Sequence, residues 1–433
     1  MSLDLPHIPR TEPPTEGDES HPVSVLPPPD RGLAAWKFLF ACFIIEGVLW
    51  GFPMAYGVFQ EHYSQQSEFA DSSNIAVVGT VSTSIYFLGA PLATPFVKQF
   101  PHWRHHMVLL GSAICVLSLL AASFASSVAV LIATQGVLYG LGFLVIYFPL
   151  LSMLNEWFIQ RRAFAYAVVY SGGGFSGIGL PFLSEWLLSR YGFRTTLRVF
   201  VVAQTVLLIP ILPLCKGRLS TSHQIPTQRI DLAFVKHPLF WVLAASNLSQ
   251  SFAYYIPSLY LPTFASSMGL SGSIGALVLA ALNLATVLGQ LGFGYLVDRL
   301  SNIFTLIVVT GVTSSVATFT LWGLTRSLAP LLVFSFVYGL FAGAYVVFWP
   351  RFGSMLADDP QPVFSWMAFG KGLGNILTAP IAESLLGESM GLSYGLGKFA
   401  PLVIYLGALM FVSSLGGLGW FASSRESGRG ETR

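Results

Sequence analysis

The sequence predicts an all-α polytopic membrane protein with twelve transmembrane helices in two pseudo-symmetric six-helix halves. Only 10% of the 433 residues are charged and 54% are hydrophobic, whereas soluble domains carry about 25% charged residues. Residues 107–155 and 237–297 contain no Asp, Glu, Lys or Arg, and each run is long enough for two helices of about 20 residues. An internal repeat predicts the two halves.

Twelve apolar segments account for the predicted helices. They lack the polar alternation of membrane β-strands, which excludes a porin-type barrel. The predicted spans are residues 36–60, 75–97, 106–125, 128–154, 163–186, 196–215, 239–262, 273–297, 303–325, 329–350, 364–386 and 399–422.

The distribution of Lys and Arg predicts the orientation of these spans. An even number of helices places both termini on the same side of the membrane. The segments on that side carry sixteen Lys and Arg residues, and those on the other side carry five. Because positive charge accumulates on the cytoplasmic side, both termini are predicted to be cytoplasmic.

Five segments describe the predicted domain organisation. Residues 1–35 form a Pro-rich, acidic tail that is too polar to order itself, and the tail lacks the basic start and apolar core of a signal peptide. Six-helix bundles occupy residues 36–215 and 239–422. A cytoplasmic loop, residues 216–238, joins them, and residues 423–433 form a second cytoplasmic tail.

Matching positions at one offset support the two halves. The pairs lie 199 or 200 residues apart and relate predicted helices 2 to 8, 4 to 10 and 5 to 11. They are Gly89 and Gly289, Tyr139 and Tyr338, and Pro181 and Pro380. Such a repeat is typical of a transporter whose halves rock around a site at the membrane midplane.

Three motifs carry a resemblance to a known family. "GFGYLVDR" (residues 292–299) resembles the characteristic loop of the major facilitator superfamily. "EWFIQRRAFAYAVVYSGGG" (156–174) and "WGFPMAYGVFQEHY" (50–63) resemble the monocarboxylate porter family, particularly its fungal branch. The resemblance implies a secondary transporter, with no enzymatic activity, that moves a small organic metabolite across the plasma membrane by alternating access.

The resemblance leaves three functions open. The favoured one is export of a secondary metabolite, and the alternatives are proton-coupled import of a monocarboxylate and substrate sensing without transport. The animal lactate branch has an acidic residue and an arginine where this chain has Thr286 and Gln290. We therefore expect a larger and less charged substrate than lactate.

Two charged residues lie well inside the predicted spans, away from their ends, where charges are costly and usually functional. Glu46 is the candidate substrate-binding or proton-binding group, and the alternative is a structural hydrogen-bond partner. Lys371 is expected to pair with Glu46, to bind an anionic substrate, or to extend toward the membrane interface.

Polar and aromatic residues on helices that line the pathway in the resembled fold, or that face it, are the remaining candidates for contact with substrate. The alternative for each is ordinary packing. They are Trp50, Tyr56, Tyr139, Tyr147, Gln250, Tyr254, Tyr255, Asn283, Gln290, Tyr338 and Tyr345.

A further set of residues is assigned to conformational change. Asp298 and Arg299 belong to the superfamily loop and are expected to act as a latch, while Arg161 and Arg162 lie at the cytoplasmic mouth. The small-residue pairs Gly173 with Gly177 and Gly370 with Gly374 predict smooth faces between the halves, or static packing.

Other classes of site receive little support from the sequence. The three cysteines are scattered, and the histidines lie outside or at the edges of the apolar spans. Their one cluster, in "HWRHH" (102–106), has basic neighbours and no acidic or cysteine ligands. A phosphate-binding G-x-x-x-x-G-K motif is absent. We therefore expect no metal, cofactor or nucleic acid, and a monomer whose partners are the lipid bilayer, a small-molecule substrate and, in the coupled case, protons.

Overall fold

The computed structural model describes residues 27–64, 66, 68–69, 75–219, 232–300, 302–386 and 394–421. These residues are mainly helical and form no strand, which confirms the predicted all-α class. Most of the predicted N-terminal tail, most of the central loop and the predicted C-terminal tail lie outside the described residues.

Fifteen α-helices occur in the described residues. They are α1 (Leu33–Ser64), α2 (Ile75–Leu88), α3 (Ala90–Gln99), α4 (Arg104–Ala122), α5 (Val128–Leu131), α6 (Tyr139–Trp157), α7 (Arg162–Ile211), α8 (Pro238–Tyr254), α9 (Ile256–Ser267), α10 (Gly272–Arg299), α11 (Ile303–Ala317), α12 (Leu328–Ala342), α13 (Trp349–Leu356), α14 (Gln361–Leu385) and α15 (Ala400–Ser414).

Short irregular helices join or extend several of these elements. A π-helix, Ile132–Leu138, joins α5 to α6, and another, Thr318–Trp322, extends α11. A 3₁₀ segment, Gly343–Phe348, joins α12 to α13, and Leu415–Leu418 extends α15. The remaining 3₁₀ turns are Pro101–Trp103, Leu212–Leu214, Ala233–Lys236 and Tyr394–Leu396.

The helices are suited to a membrane by length and composition. Eight helical stretches of the described chain are long and apolar enough to cross a bilayer, and α2 with α3, bent by 48°, gives a ninth. Helix α7 has 50 residues, about 75 Å, which is far more than the roughly 30 Å of a bilayer core. Gly192 interrupts it with a φ of 70° and a ψ of 172°, a conformation that glycine tolerates. Predicted helices five and six therefore appear as one broken element.

A proline also divides the predicted seventh helix. Pro257 lies in the first turn of α9 and has no N–H group to donate to the preceding turn. The chain consequently breaks between α8 and α9 at Tyr255. This break presents two adjacent tyrosines, Tyr254 and Tyr255, at the centre of the molecule.

Four helix pairs make the main contacts between the N-terminal part (residues 27–219) and the C-terminal part (residues 232–421). Helix α7 packs against α10 and α13, and α2 and α3 pack against α14. We refer to these contacts as the seam. Within the parts, α1 packs along α7, and α8 packs against α14 and α15. The end of the bundle that carries Asp30 and residues 157–162, 298–302 and 356–361 is called the N-terminal face.

Candidate functional site

Glu46 on α1 lies among tyrosine side chains inside the N-terminal part. Its side chain is buried, and its Oε2 atom has no hydrogen-bond partner in the described chain. The indole of Trp50, one turn further along α1, points its N–H group toward the carboxyl group. The hydroxyl groups of Tyr86, Tyr147 and Tyr170 lie within electrostatic range of it. We call these five residues the acidic pocket.

Aromatic packing fixes the walls of the acidic pocket. The ring of Tyr86 stacks on Phe143 with centroids 4.3 Å apart and meets Tyr147 edge-on at 4.8 Å. The ring of Trp50 is nearly perpendicular to the rings of Tyr86 and Phe143, and its centroid lies 6.1 Å and 5.5 Å from theirs. Such edge and offset contacts add to the energy of burial. The pocket is therefore a rigid apolar frame that holds a few polar tips.

Lys371 on α14 lies in a second polar cluster inside the C-terminal part. Its Nζ atom donates to Gln250 Oε1 at 2.9 Å and lies 3.9 Å from the ring centroid of Tyr254 and 5.2 Å from that of Tyr255. Gln250 Nε2 donates to the carbonyl of Ala342 at 3.2 Å, which turns the amide oxygen toward the lysine. Aromatic faces and one amide oxygen thus surround a buried ammonium group.

Asn375 completes this second cluster. It lies one turn beyond Lys371 on α14, and the hydroxyl group of Tyr255 faces it. Its Oδ1 atom is buried and has no hydrogen-bond partner among the described residues. We call Lys371, Gln250, Tyr254, Tyr255 and Asn375 the basic pocket.

The two pockets lie at the same level on opposite sides of the seam. Gly372, next to Lys371, is so close to α2 that a Cβ atom there would lie 2.9 Å from Phe87 and 3.0 Å from Leu88. Phe87 follows Tyr86 of the acidic pocket. Glu46 lies about 20 Å from the start of α1, and Lys371 about 15 Å from the start of α14. Both pockets therefore lie near the middle of a roughly 30 Å bilayer core.

Neither charged group is neutralised by the protein in this conformation. Among the described residues, neither Glu46 nor Lys371 forms an ion pair within 4.0 Å, with each other or with another side chain. A buried charge without a partner is costly. The arrangement leaves the side chains of Glu46 and Lys371 available to bind a ligand or to exchange a proton.

Other predicted pathway residues brace the helices. Tyr139 donates to the carbonyl of Leu49 at 2.9 Å, and Tyr56 donates to that of Ile75. Tyr338 donates to the carbonyl of Tyr254 at 3.4 Å.

Three more of the predicted residues have specific positions outside the two pockets. The Tyr345 hydroxyl lies 2.6 Å from Ser246 Oγ. Asn283 Nδ2 donates across the seam to the carbonyl of Gly177 at 3.1 Å, and Gln290 is buried with its Oε1 unpartnered in the described structure. Of the predicted pathway residues, Trp50 and Tyr147 therefore lie beside Glu46 in the acidic pocket. Gln250, Tyr254 and Tyr255 lie beside Lys371 in the basic pocket.

Three pocket residues were missed by the sequence analysis, namely Tyr86, Tyr170 and Asn375. They lie on α2, α7 and α14. One signal was present for Asn375, because it follows Lys371 by four residues and so shares its helix face. Nothing local in the sequence marks Tyr86 or Tyr170.

Polar contacts close the seam at the N-terminal face. The carboxylate of Asp298, at the end of α10, accepts hydrogen bonds from the backbone N–H groups of Ala163 at 3.1 Å and Phe164 at 2.8 Å. These N–H groups belong to the first turn of α7, where a negative charge is favoured by free donors and by the helix dipole. Arg299 takes no part in this contact and lies 5.2 Å from the ring of Tyr295.

Further contacts close the side of the same face where α3 meets α14. Lys98 forms an ion pair with Asp359, and Thr94 Oγ1 donates to Ser365 Oγ at 2.9 Å. Gln361 Nε2 donates to the carbonyl of Phe148 at 3.4 Å. These contacts and the Asp298 cap are together called the latch.

The two predicted arginines contact this face differently. Arg162 Nη1 donates across the seam to Ser354 Oγ at 3.1 Å. Arg161 contributes its backbone N–H, which donates to Asp30 Oδ1 at 2.9 Å. The Asp30 carboxylate also accepts from the N–H groups of Ile159 and Gln160, so it anchors the segment before α1 to the start of α7.

The predicted glycine faces divide between the seam and internal packing. Gly177 lies against Asn283 across the seam, whereas Gly173 lies against Trp50 in its own part. Gly370 and Gly374 do not lie at the seam and instead face Asn247 and Ser251 of α8. The closest approaches across the seam are made by other glycines, Gly294 of α10 at Ala167 and Gly174 of α7 at Val287. The interpretation of static packing therefore applies to three of the four predicted glycines.

Comparison with known proteins gives a family match. Residues 38–379 match the family model described as the Major Facilitator Superfamily. The chain is 25% identical over 407 residues to the MFS transporter asaE of Aspergillus flavus, covering 93% of this chain and 89% of the relative.

Two further relatives carry names that state export. The chain is 24% identical over 404 residues to the fujikurins efflux protein of Gibberella fujikuroi, covering 89% of this chain and 83% of the relative. It is also 24% identical over 425 residues to the aspyridones efflux protein apdF of Emericella nidulans, covering 96% of this chain and 82% of the relative.

Proposed function

The chain belongs to the major facilitator superfamily, and from this membership we propose that it is a twelve-span exporter of a small organic metabolite. As a member it is a multi-pass membrane transporter. The proposal of export is supported by relatives that are named as efflux proteins and match most of the chain. Transport needs no covalent chemistry, so the proposal assigns no catalytic residue.

The proposed architecture has two six-helix halves that correspond to the N-terminal and C-terminal parts. Two features support it: the repeat at an offset of 199 or 200 residues, and the pairing of α2 with α14 and of α7 with α10 as contacts between the parts. The break at Gly192 gives two crossings from α7. We assign the chain to the fungal branch of the monocarboxylate porter family on the motifs at residues 50–63 and 156–174.

We propose that the protein is a monomer in the plasma membrane. In the proposed orientation, its N-terminal face lies on the cytoplasmic side. Sixteen Lys and Arg residues against five support this orientation. The latch then closes the cytoplasmic side of the site. Export requires that the latch opens, so that a metabolite can enter from the cytoplasm.

The mechanism that we propose is alternating access around the two pockets. One observation carries it: Glu46 and Lys371 are buried ionisable side chains without an ion-pair partner in the described chain, one in each of two separately packed parts. Intramembrane charges are costly and are usually retained for transport. A substrate bound between the pockets would contact both parts, so its binding would be coupled to their relative movement.

A metabolite comparison tests the proposed export. Cells that lack the gene are compared with cells that express the wild-type protein or Glu46→Gln, with Glu185→Gln on an exposed face of α7 as the matched control. We expect one compound to accumulate inside the deletion cells and to be depleted from their medium. Wild type and Glu185→Gln should restore its release, and Glu46→Gln should not. A compound that remains unconsumed in the medium would indicate import, and unchanged pools would indicate sensing.

A further inference from the structure

The two pockets carry opposite polarity, and each lacks a partner of defined chemistry. In the acidic pocket, Glu46 Oε2 and the hydroxyl oxygens of Tyr147 and Tyr170 are buried without hydrogen-bond partners in the described chain. An ionised carboxylate only accepts hydrogen bonds. A group that donates, such as an ammonium, N–H or hydroxyl group, would therefore satisfy the carboxylate when it is ionised.

The basic pocket requires the opposite chemistry. A lysine ammonium has three donors and no acceptor, and in the described structure Gln250 Oε1 is the one oxygen that accepts from Lys371. The faces of Tyr254 and Tyr255 attract the cation but supply no net negative charge. An anionic or strongly accepting group would supply the missing compensation.

Aromatic side chains separate the two pockets. Tyr86 and Tyr255 lie within electrostatic range of each other across the seam, and Tyr86 belongs to the stack of Trp50, Phe143 and Tyr147. Flat apolar surfaces between two polar ends favour a ligand with an aromatic or otherwise unsaturated body.

Building on the proposed function, we propose that the substrates are amphoteric organic molecules with an unsaturated body, an acidic group that binds Lys371 and a hydrogen-bond-donating group that binds Glu46. This assignment names a class that neither pocket defines alone. It also gives the two charged residues separate roles, because each recognises a different end of the ligand. Each role can be tested without knowledge of the natural substrate.

Four fluorescent probes with one aromatic body test this assignment by titration of the purified full-length protein in lipid nanodiscs. Nα-dansyl-lysine, called dansyl-lysine below, has a carboxylate and, at the other end of its side chain, a free amine. Dansyl-cadaverine has the amine, 6-(dansylamino)hexanoic acid has the carboxylate, and N-butyldansylamide has neither. We expect dansyl-lysine to bind most tightly. A charge-assisted hydrogen bond contributes about 1.5–3 kcal/mol, so loss of either end should weaken binding at least about tenfold.

Two variants should produce a crossed pattern. Lys371→Met should weaken the two carboxylate probes at least about tenfold and leave dansyl-cadaverine unchanged. Glu46→Gln should weaken the two amine probes and leave the hexanoic acid unchanged. The probe that each variant still binds shows that it is folded. Lys37→Met and Glu185→Gln, both exposed, are matched controls that should bind all four probes as wild type does.

Three results would overturn the assignment. They are equal binding of all four probes, equal weakening of every probe by a variant, and no binding of any probe. Failure here is distinct from failure of the proposed function. If a metabolite still accumulates in deletion cells, export stands and only the substrate class is wrong.

Discussion

Asn247 joins three helices through one side-chain amide. Its Nδ2 donates to the carbonyl of Met367 on α14 at 2.8 Å, and its Oδ1 accepts from the Trp349 indole on α13 at 2.9 Å. Replacement by leucine would leave the buried indole N–H of Trp349 unpaired, at a cost of about 1–3 kcal/mol, and would remove the additional hydrogen bond to the Met367 carbonyl. We expect Asn247→Leu to lower the unfolding temperature of the detergent-solubilised protein by several degrees.

A residue on the same helix provides the control for Asn247. Ser249 bonds only the carbonyl of Ala245 in its own helix, so Ser249→Ala should leave the unfolding temperature nearly unchanged. Equal unfolding temperatures for Asn247→Leu and wild type would contradict the bracing role.

The sequence could not reveal this brace, because Asn247 and Trp349 are about 100 residues apart and only the fold brings them together. Buried charge was readable, because a charge inside an apolar run is visible in one dimension.

Helix α7 begins at a cap that belongs to another helix. The Asp298 carboxylate accepts from Ala163 and Phe164 across the seam, and such a charge at a helix N-terminus contributes about 0.3–2 kcal/mol. Asp298→Asn keeps the shape of the side chain and removes the charge. We expect it to shift the closed-to-open equilibrium of the N-terminal face toward the open state by about 2- to 30-fold.

Spin labels can measure this shift. Cysteines introduced at Gln160 and Asp358, both on the N-terminal face, carry the two labels on opposite parts, and pulsed EPR measures the distance between them. The native Cys42, Cys115 and Cys215 are buried, and burial raises the pKa of Cys215 to about 12, so its thiol stays protonated and unreactive at pH 7–8. Asp298→Asn should add a longer distance, and Glu383→Gln, exposed on α14, should not. An unchanged distance distribution would remove Asp298 from the latch.

Element boundaries show where sequence reasoning ends. The apolar runs located each predicted helix within a few residues of an observed element. The break between α8 and α9 depends on Pro257, which is visible in the sequence. The apolar run nevertheless predicts one span over residues 239–262. The 3₁₀ segment Gly343–Phe348 has no such marker. Gly343 lies close to Thr286 of α10, so the local geometry is set by a neighbouring helix.

For the whole molecule, alternating access requires that the two parts separate at the N-terminal face during each cycle. Thr94 and Ser365 lie on opposite parts with their side-chain oxygens 2.9 Å apart, close enough for a disulfide after replacement by cysteine. Oxidation of Thr94→Cys/Ser365→Cys would join the parts covalently. We expect nearly complete loss of metabolite release on oxidation and full recovery on reduction, measured in the same cells or vesicles.

The single variants Thr94→Cys and Ser365→Cys serve as controls, because neither can form the bridge and both should transport under oxidising and reducing conditions. Undiminished release by the oxidised double variant, with the disulfide verified by mass spectrometry, would show that the parts need not separate at this face. Substrate would then have to pass elsewhere, and the seal formed by the latch would be permanent. Loss confined to the oxidised double variant would instead tie transport to the opening of the seam between α3 and α14, next to the level at which Lys371 and Glu46 lie.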